Sequence, residues 1–307
     1  MGICLLTNDV ESTSIVNGGL REDVAVKVWK EGLPRLLDLY DKYDVRTTFF
    51  YIAQLASEHP QMVRMVLDRG HEIACHGLTH GDAKAFDTMS FEEQLEHLCE
   101  AKKILEDIAG CEVLSFRAPT LRVNADTPRA LARAGFKFDS SVAPQRLDMF
   151  MSLGSKGKLQ WIGAPRGIYE TAEDNLARRG NSGITEVPIS ARGLPYIGTF
   201  MRISPSFTSL VRKGLWRETR SDEERAVNFL IHPNEVIEEE DLHLKTQRRA
   251  SNFVSYLLSD VLRRHLKQRN LGLPALELFE KEIAFWKEKG YSFKAVRDVR
   301  NIINNHE

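Results

Sequence analysis

The sequence contains few cysteines, no long apolar run and no excess of charge of one sign. Lys and Arg number 42 and Asp and Glu 43 among 307 residues, which leaves a formal net charge of −1. This balance provides no global field for holding nucleic acid, and no basic tract is long enough to do so locally. The four cysteines show no C-x-x-C spacing and are too sparse for a disulfide scaffold. The longest apolar runs fall well short of the roughly 18 residues that cross a membrane.

Nucleotide-binding and export signals are also missing. No G-x-G-x-x-G motif follows the first predicted strand and no G-x-x-x-x-G-K motif occurs, so no dinucleotide or P-loop site is predicted. The N-terminal residues lack a charged segment followed by an apolar one. Together with the sparse cysteines, this favours a cytoplasmic protein. Hydrophobic residues make up 42% of the chain, which is enough for a sizeable core.

The sequence does contain a regular alternation of strand and helix patterns. Short apolar or β-branched runs predict strands at residues 3–7, 46–52, 71–75, 113–116, 136–138, 184–189 and 226–231, with Phe293 in a last strand. Helical spacing predicts helices at residues 24–43, 55–69, 90–109, 127–135, 241–270 and 275–289. Ser90 and Glu93 predict a capping box. Residues 143–184 have poor periodicity and predict a long loop. The alternation indicates an α/β fold with a parallel sheet, either open and doubly wound or closed into a barrel.

Ionisable side chains cluster directly after the predicted strands. The residues in these positions are Asp9, Glu11, His76, His80, Arg117, Asp139 and His232, with Pro119 close behind Arg117. Because the carboxyl ends of parallel strands share one face, five separate segments are expected to deliver these groups to one site.

The spacing of His76 and His80 is compatible with a shared metal ion. With a carboxylate from the first strand, the pair makes a set with open positions that suits catalytic Zn²⁺ or non-haem Fe²⁺. Each feature also has a simpler interpretation. The histidines can be surface residues near a turn, and the carboxylates Asp9, Glu11 and Asp139 can be caps of turns or helices. His232, at the end of an apolar strand, can be a core histidine.

Taken in order, these segments resemble the polysaccharide deacetylases, the NodB-homology enzymes of carbohydrate esterase family four. The matching segments are Thr7–Glu11, Arg46–Phe50, Gly70–His80, Phe116–Pro119, Gly135–Ser141 and Leu230–Pro233. The likeness covers roughly residues 3 to 235. It implies a distorted (β/α) barrel at residues 1–240, which residues 241–307 complete with helices as part of the same domain. It also implies metal-dependent removal of an acetyl or formyl group from an amino sugar.

The resemblance also implies a role for each site residue. Glu11, His76 and His80 would hold a divalent metal, most simply zinc, and Asp9 would be the general base held by Arg117. His232 would be the general acid, oriented by Asp139. A backbone N–H near Thr120, which follows Pro119, would face the oxyanion. In this sequence Val10 separates the two acids, whereas the family usually has adjacent aspartates. The assignment of base and ligand between Asp9 and Glu11 therefore stays open.

The D-x-E form resembles a branch associated with exopolysaccharide loci, and it is also similar to the D-x-D of lipid-linked formamido-arabinose deformylases. The expected substrate is therefore a polysaccharide, an oligosaccharide or a lipid-linked glycan. Thr120 replaces the usual aromatic residue, which removes a stacking surface for a sugar. Aromatic residues of the predicted loop and beyond can line a groove or anchor the loop: Trp161, Tyr169, Tyr196, Phe200 and Phe207.

Three other functions compete with sugar deacylation. The same fold can act on a non-sugar cyclic amide or ureide, it can be a catalytically inactive carbohydrate-binding relative, or the metal set can belong to an Fe²⁺ oxygenase. The α/β alternation argues against the oxygenase. The Arg-rich helix 243–270, with Phe253, Leu257 and Val261 on one stripe, predicts packing on the barrel or contact with a membrane surface.

Overall fold

A computed structural model describes residues 2–16, 19–80, 85–145, 161–220, 225–239 and 263–299. The strands of the described residues are β1 (Ile3–Val10), β2 (Thr48–Tyr51), β3 (Glu72–Cys75), β4 (Ser115–Phe116), β5 (Phe138–Asp139), β6 (Tyr169–Ala172), β7 (Asn175–Arg179), β8 (Thr185–Glu186), β9 (Ala191–Arg192), β10 (Leu194–Pro195), β11 (Val227–Ile231) and β12 (Ser292–Phe293). The helices are α1 (Glu22–Lys27), α2 (Leu33–Lys42), α3 (Ala53–Glu58), α4 (Pro60–Leu67), α5 (Phe91–Ala109), α6 (Thr127–Arg133), α7 (Gly198–Ile203), α8 (Pro205–Thr219), α9 (Arg263–Lys267) and α10 (Leu273–Glu288).

The main sheet is mixed and curls into a partial barrel with helices outside it. Its order is β11-β1-β2-β3-β4-β5-β8-β6-β7, and β12 also pairs with β1. All neighbours from β11 to β8 are parallel, whereas β6 is antiparallel to both β8 and β7. The predicted barrel-type α/β fold is therefore confirmed.

The first helices show where sequence patterns mark boundaries well and where they do not. Ser90 and Glu93 form the predicted capping box at the start of α5, and Gly110 ends that helix in the left-handed conformation. The single helix predicted at 55–69 is wrong, because Pro60 lacks an N–H and His59 has non-helical angles, so α3 and α4 are separate. The helix predicted at 24–43 is instead α1 and α2 joined by a π-helical turn at Val28–Gly32.

The region predicted as a loop between residues 143 and 184 contains regular structure. In its described part, β6 and β7 form an antiparallel hairpin that joins the sheet through β8. Sequence periodicity missed this hairpin because both faces of β7 lack a repeating apolar pattern and its last two residues are exposed.

The C-terminal segment is attached to the barrel by main-chain and apolar contacts. β12, the last strand predicted for Phe293, pairs with the start of β1. The backbone N–H groups of Val296 and Arg297 donate to Thr48 Oγ1 at 2.8 Å and to Glu72 Oε2 at 3.1 Å. These contacts seal the amino-terminal end of β2 and β3. The helical stripe with Phe253, Leu257 and Val261 lies outside the described residues. No helix in the described ranges is long and apolar enough to span a bilayer.

We predict that the barrel and α10 unfold as one unit. Phe279 of α10 is fully buried, stacks on Phe229 of β11 and meets the edge of Tyr40 of α2. Phe279→Ala should therefore lower the free energy of unfolding by about 3–5 kcal/mol in a single urea transition. Phe207→Ala, at a position 41% exposed on α8, is the control and should change it by about 0.5 kcal/mol or less. Two separate transitions would show that the C-terminal segment is an independent domain.

Candidate active site

The ends of the parallel strands lie in register, which brings the candidate residues to one edge of the sheet. Asp9 pairs with Phe50, Tyr51 with Cys75, Cys75 with Phe116, and Phe116 with Asp139. The residues that follow β3 and β4 are His76 and Arg117, so they emerge side by side. The structure therefore places these groups at the carboxyl edge, where the alternation predicted them.

The spacing of Asp9 and Glu11 follows from strand geometry. Successive residues of an extended chain point to opposite faces, so residues two apart share a face. Val10 is fully buried in the apolar core, whereas His76 approaches Asp9 and His80 approaches Glu11. The intervening valine thus allows both carboxylates to reach the same side.

Arg117 is fully buried and hydrogen-bonded in several directions. Its Nη1 donates to Asp9 Oδ1 at 2.7 Å, so the predicted contact between the two residues is present. Its Nη2 donates to Thr7 Oγ1 at 2.9 Å and Ser140 Oγ at 2.7 Å, and its Nε to the Ser140 carbonyl at 2.9 Å. The guanidinium carbon lies 4.3 Å from the centroid of the Phe50 ring. These contacts fix Asp9 Oδ1 and leave Oδ2 facing the histidines.

Glu11, His76 and His80 form a group that fits a metal ion. Each offers one ligand atom, and these atoms all lie within 4.8 Å of one another. His80 Nε2 is 3.0 Å from Glu11 Oε2. His76 Nδ1 lies 2.8 Å from the Arg117 carbonyl, which can only accept, so Nδ1 carries the proton and Nε2 keeps its lone pair. A carbonyl that fixes the imidazole in this way is the usual outer support of a metal ligand.

The electrostatics of this group favour the protonation states that bind a cation. Burial lowers the pKa of His76, although the charges of Asp9 and Glu11 oppose that effect, so the ring is neutral. For Glu11, burial raises the pKa, but the hydrogen bond with His80 and the charge of His232 outweigh it and lower it to about 2. An ionised carboxylate with two imidazoles suits Zn²⁺ in a catalytic site.

His232 faces the same site and is held by a residue that sequence reasoning missed. Its Nε2 lies 4.0 Å from Asp9 Oδ2, and its Nδ1 lies 3.0 Å from Glu235 Oε1. Burial lowers the pKa of His232, but the hydrogen bond with Glu235 and the charges of Glu11, Glu235 and Asp9 raise it to about 9. The alternative interpretation of His232 as a core histidine is therefore wrong. The one sequence signal for Glu235 was its position three residues after His232, which is also the spacing of a capping box.

The expectation that Asp139 orients His232 is wrong. Asp139 is fully buried, and its carboxylate accepts from Ser141 Oγ at 2.7 Å and from the Ser141 backbone N–H at 3.1 Å. It also shares a hydrogen bond with Glu186, and burial raises the pKa of both acids. Ser141 Oγ in turn accepts from the Ala118 backbone N–H at 2.9 Å. Asp139 therefore supports the backbone beside Arg117, and the acid that contacts His232 is Glu235.

A cavity of about 490 Å³ opens over the candidate site. Its walls include Glu11, His80, Thr120, His232, Asn234 and Glu235. Thr120 follows the half-buried Pro119 and has a φ of 52°, which is strained for a β-branched residue. Strain of this kind concentrates at functional sites.

The aromatic residues considered for a sugar groove lie elsewhere. Trp161, Tyr169 and Tyr196 are each at most 2% exposed, and the described lining of the cavity does not include them. They anchor their segments in the core. Phe200 is half-buried and Phe207 is exposed on α8.

Solved structures share this architecture. One described as a probable polysaccharide deacetylase from Pseudomonas aeruginosa PAO1 superposes with a TM-score of 0.58 at 15% identity, covering 97% of this chain and 90% of that one. One described as Puue allantoinase superposes with a TM-score of 0.59 at 16% identity, covering 97% and 89%. At these identities the likeness concerns the fold. The shared fold is a (β/α) barrel, and in this chain the candidate site lies at the carboxyl ends of its parallel strands.

The sequence comparison is more specific. Residues 23–138 match the family model described as polysaccharide deacetylase. The peptidoglycan deacetylase of Helicobacter pylori is 29% identical over 111 residues, which are 36% of this chain and 37% of that protein. The chain spans less than half the length of the first curated relatives it matches. Asp9, Glu11, Asp139 and His232 lie outside residues 23–138, so their placement depends on the structure.

We predict that the chelator-treated protein binds one equivalent of Zn²⁺ through Glu11, His76 and His80. Glu11→Gln and His80→Ala should each abolish detectable binding in isothermal titration calorimetry, because each removes one of three protein ligands. His59→Ala is the control. His59 belongs to a second group with Glu22 and Glu58. The Glu22 side chain is 70% exposed, so its carboxylate stays hydrated at no cost in free energy when no metal ion is bound. If only His59→Ala lost the bound zinc, the metal would belong to the group of Glu22, Glu58 and His59, and the prediction would be wrong.

Proposed function

We propose that this protein is a metal-dependent hydrolase that removes an N-acyl group from an amino sugar. The observation that carries the proposal is that a fixed carboxylate, a three-residue donor set for a metal and a protonated histidine lie together beside a cavity lined by Glu11, His80 and His232. Asp9 is the fixed carboxylate, Glu11 belongs to the donor set, and His232 is the protonated histidine. Amide hydrolysis needs the same three functions: a base for water, an electrophile for the carbonyl and an acid for the leaving amine.

The residues present fit a divalent cation, for which zinc is the best candidate. Glu11, His76 and His80 would hold it, and the cavity over them leaves room for water and substrate. When bound, such an ion polarises the acyl oxygen and lowers the pKa of a bound water. The contact of Asp9 with Arg117 and of Glu11 with His80 favours Glu11 as the ligand and Asp9 as the base.

The protein's own residues supply the proton transfers. Asp9 Oδ2 takes a proton from the attacking water, while Arg117 keeps the other oxygen in place. The backbone N–H of Thr120, beside Pro119, donates to the oxygen on which negative charge develops. His232 then gives its Nε2 proton to the departing nitrogen, and Glu235 stabilises the charged ring from the Nδ1 side. Without that proton the amine would have to leave as an anion.

An N-acetylated or N-formylated amino sugar is the substrate that we propose, either in an oligosaccharide or a polysaccharide or attached to a lipid. The match of residues 23–138 to the polysaccharide deacetylase family supports the sugar. The D-x-E form of the first motif, Asp9-Val10-Glu11, supports the exopolysaccharide branch. The cavity wall has Thr120 in place of an aromatic residue, so sugar binding there depends on polar contacts.

A cyclic amide or ureide is the second candidate substrate. The likeness in fold to the structure described as Puue allantoinase favours it. Both reactions need the same base, acid and metal, so the site does not distinguish between them. Release of acetate or formate distinguishes them, because opening a cyclic amide or ureide leaves the new carboxyl group on the product.

We predict that Asp9→Asn and His232→Ala each lower kcat for N-acyl hydrolysis by about 10²–10⁴-fold, since each removes a proton-transfer group. Both variants should keep the zinc equivalent. The control is Asp87→Asn, which removes a partly exposed carboxylate that pairs with Arg122 and should leave kcat unchanged.

The assay measures acetate and formate release from N-acetyl chitooligosaccharides, peptidoglycan and lipid-linked N-acyl sugars, with and without chelator. Absence of chelator-sensitive release from every sugar, with ring opening of a cyclic ureide, would replace the proposed function by the second candidate. Full activity of either catalytic variant would contradict its assigned role.

A further inference from the structure

Glu235 divides its two carboxylate oxygens between two partners. Oε1 accepts from His232 Nδ1 at 3.0 Å, and Oε2 accepts from Arg202 Nε at 2.6 Å. Glu235 and Arg202 are each 1% exposed. Burial raises the pKa of Glu235, but the charges of Arg202 and His232 outweigh it and lower it to about 2, so the carboxylate is ionised. Because an ionised carboxylate only accepts, the proton between it and His232 belongs to Nδ1.

Arg202 is itself fixed at its far end by main-chain groups. Its Nη1 donates to the carbonyl of Lys267 at 2.5 Å and to the carbonyl of Arg269 at 3.0 Å. The amide nitrogen of Asn270 donates to the Arg202 carbonyl at 2.7 Å. The guanidinium therefore joins the end of α9 to Glu235, and its position is set by backbone atoms.

Gly198, at the start of α7, lies directly against the carboxylate of Glu235. A Cβ at this position would lie 2.6 Å from Glu235 Oε1 and 2.8 Å from Oε2, well inside contact distance. Gly198 and Arg202 lie on the same short helix. One helix therefore both holds the Glu235 carboxylate, through Arg202, and leaves room for it, through Gly198.

We infer that Gly198, Arg202 and Glu235 form a positioning cradle that holds His232 in the orientation for protonating the leaving group. Glu235 touches the acid, whereas Arg202 and Gly198 act through Glu235. The inference deepens the proposed function and rests on it for the role of His232. It assigns to α7 and to residues 267–270 a part in the reaction that the family motifs do not contain.

The chemistry of the cradle predicts how its variants fail. A glutamine at position 235 has one acceptor oxygen and one donor nitrogen, so it cannot accept from both His232 and Arg202. Arg202→Met removes the bond to Oε2 and frees the carboxylate to rotate. Gly198→Ala changes no charge and forces the carboxylate to move. If position is what matters, all three variants should impair the same step.

The experiment compares an amide with an activated ester of the same acyl group. An aryl ester loses a stable phenolate and needs no protonation, whereas the N-acetyl sugar does. We expect Glu235→Gln, Arg202→Met and Gly198→Ala to lower kcat on the amide by about 10²-fold, with KM and bound zinc unchanged. Activity on p-nitrophenyl acetate should change by less than about threefold. A structural defect would lower both activities together.

Two matched variants serve as controls. Gly163→Ala introduces a methyl group where nothing lies within 4 Å. Arg212→Met breaks a second largely buried pair, in which Nη1 lies 2.9 Å from Glu282 Oε1, at a site that does not contact His232. Both controls should keep the ratio of amide to ester activity of the wild-type protein.

A spectroscopic readout keeps the inference separate from the proposed function. The Nδ1 proton resonance of His232, identified by its loss in His232→Ala, reports the bond to Glu235 without any substrate. It should disappear or shift in the three cradle variants and stay in both controls. If the resonance and the ratio of amide to ester activity are unchanged in the variants, the cradle is wrong. If the wild-type protein hydrolyses no sugar amide but the resonance responds as expected, the cradle stands and the proposed substrate fails.

Discussion

The structure depends on the buried contact between Arg117 and Asp9. A guanidinium with no solvent exposure is costly unless its donors are satisfied, and a half-broken buried pair costs about 3–5 kcal/mol. Here the donors reach β1 through Asp9 and Thr7, and the end of β5 through Ser140. The Arg117 carbonyl also accepts from His76. Arg117 therefore fixes both the candidate base and the tautomer of a candidate metal ligand. Because it joins β1 to the end of β5, it also links the site to the closure of the sheet.

Much of the site could be predicted because its residues follow strands that periodicity identifies well. Asp9, His76 and Arg117 each come directly after, or at the end of, a short apolar run, and parallel pairing then places them together. The hairpin β6–β7 could not be predicted in this way. Its pairing to the sheet occurs through two residues of β8, and such a long-range contact leaves no local period in the sequence.

The partner of His232 could not be chosen from the sequence for a similar reason. Asp139 and Glu235 are both acids near strand ends, and which one reaches His232 depends on where Glu186 and Arg202 lie. Asp139 meets a second acid in the core, where burial raises the pKa of both. Glu235 meets a guanidinium instead, and its pKa falls to about 2. Glu235 is therefore held ionised beside His232, where it can stabilise a protonated ring, so tertiary contacts decided the assignment.

The pairing of charges also separates the roles of the acids around the cavity. Asp9 is neutralised by Arg117 and Glu235 by Arg202, both at hydrogen-bond distance in buried positions. Glu11 contacts His80, which with His76 can also ligate a metal ion, so its negative charge is available to a cation. A divalent ion at Glu11, His76 and His80 would then bring positive charge next to His232. An ionised Glu235 behind His232 offsets that repulsion, which is why an acid kept charged by its own arginine suits this position better than Asp139, whose neighbour in the core is a second acid, Glu186.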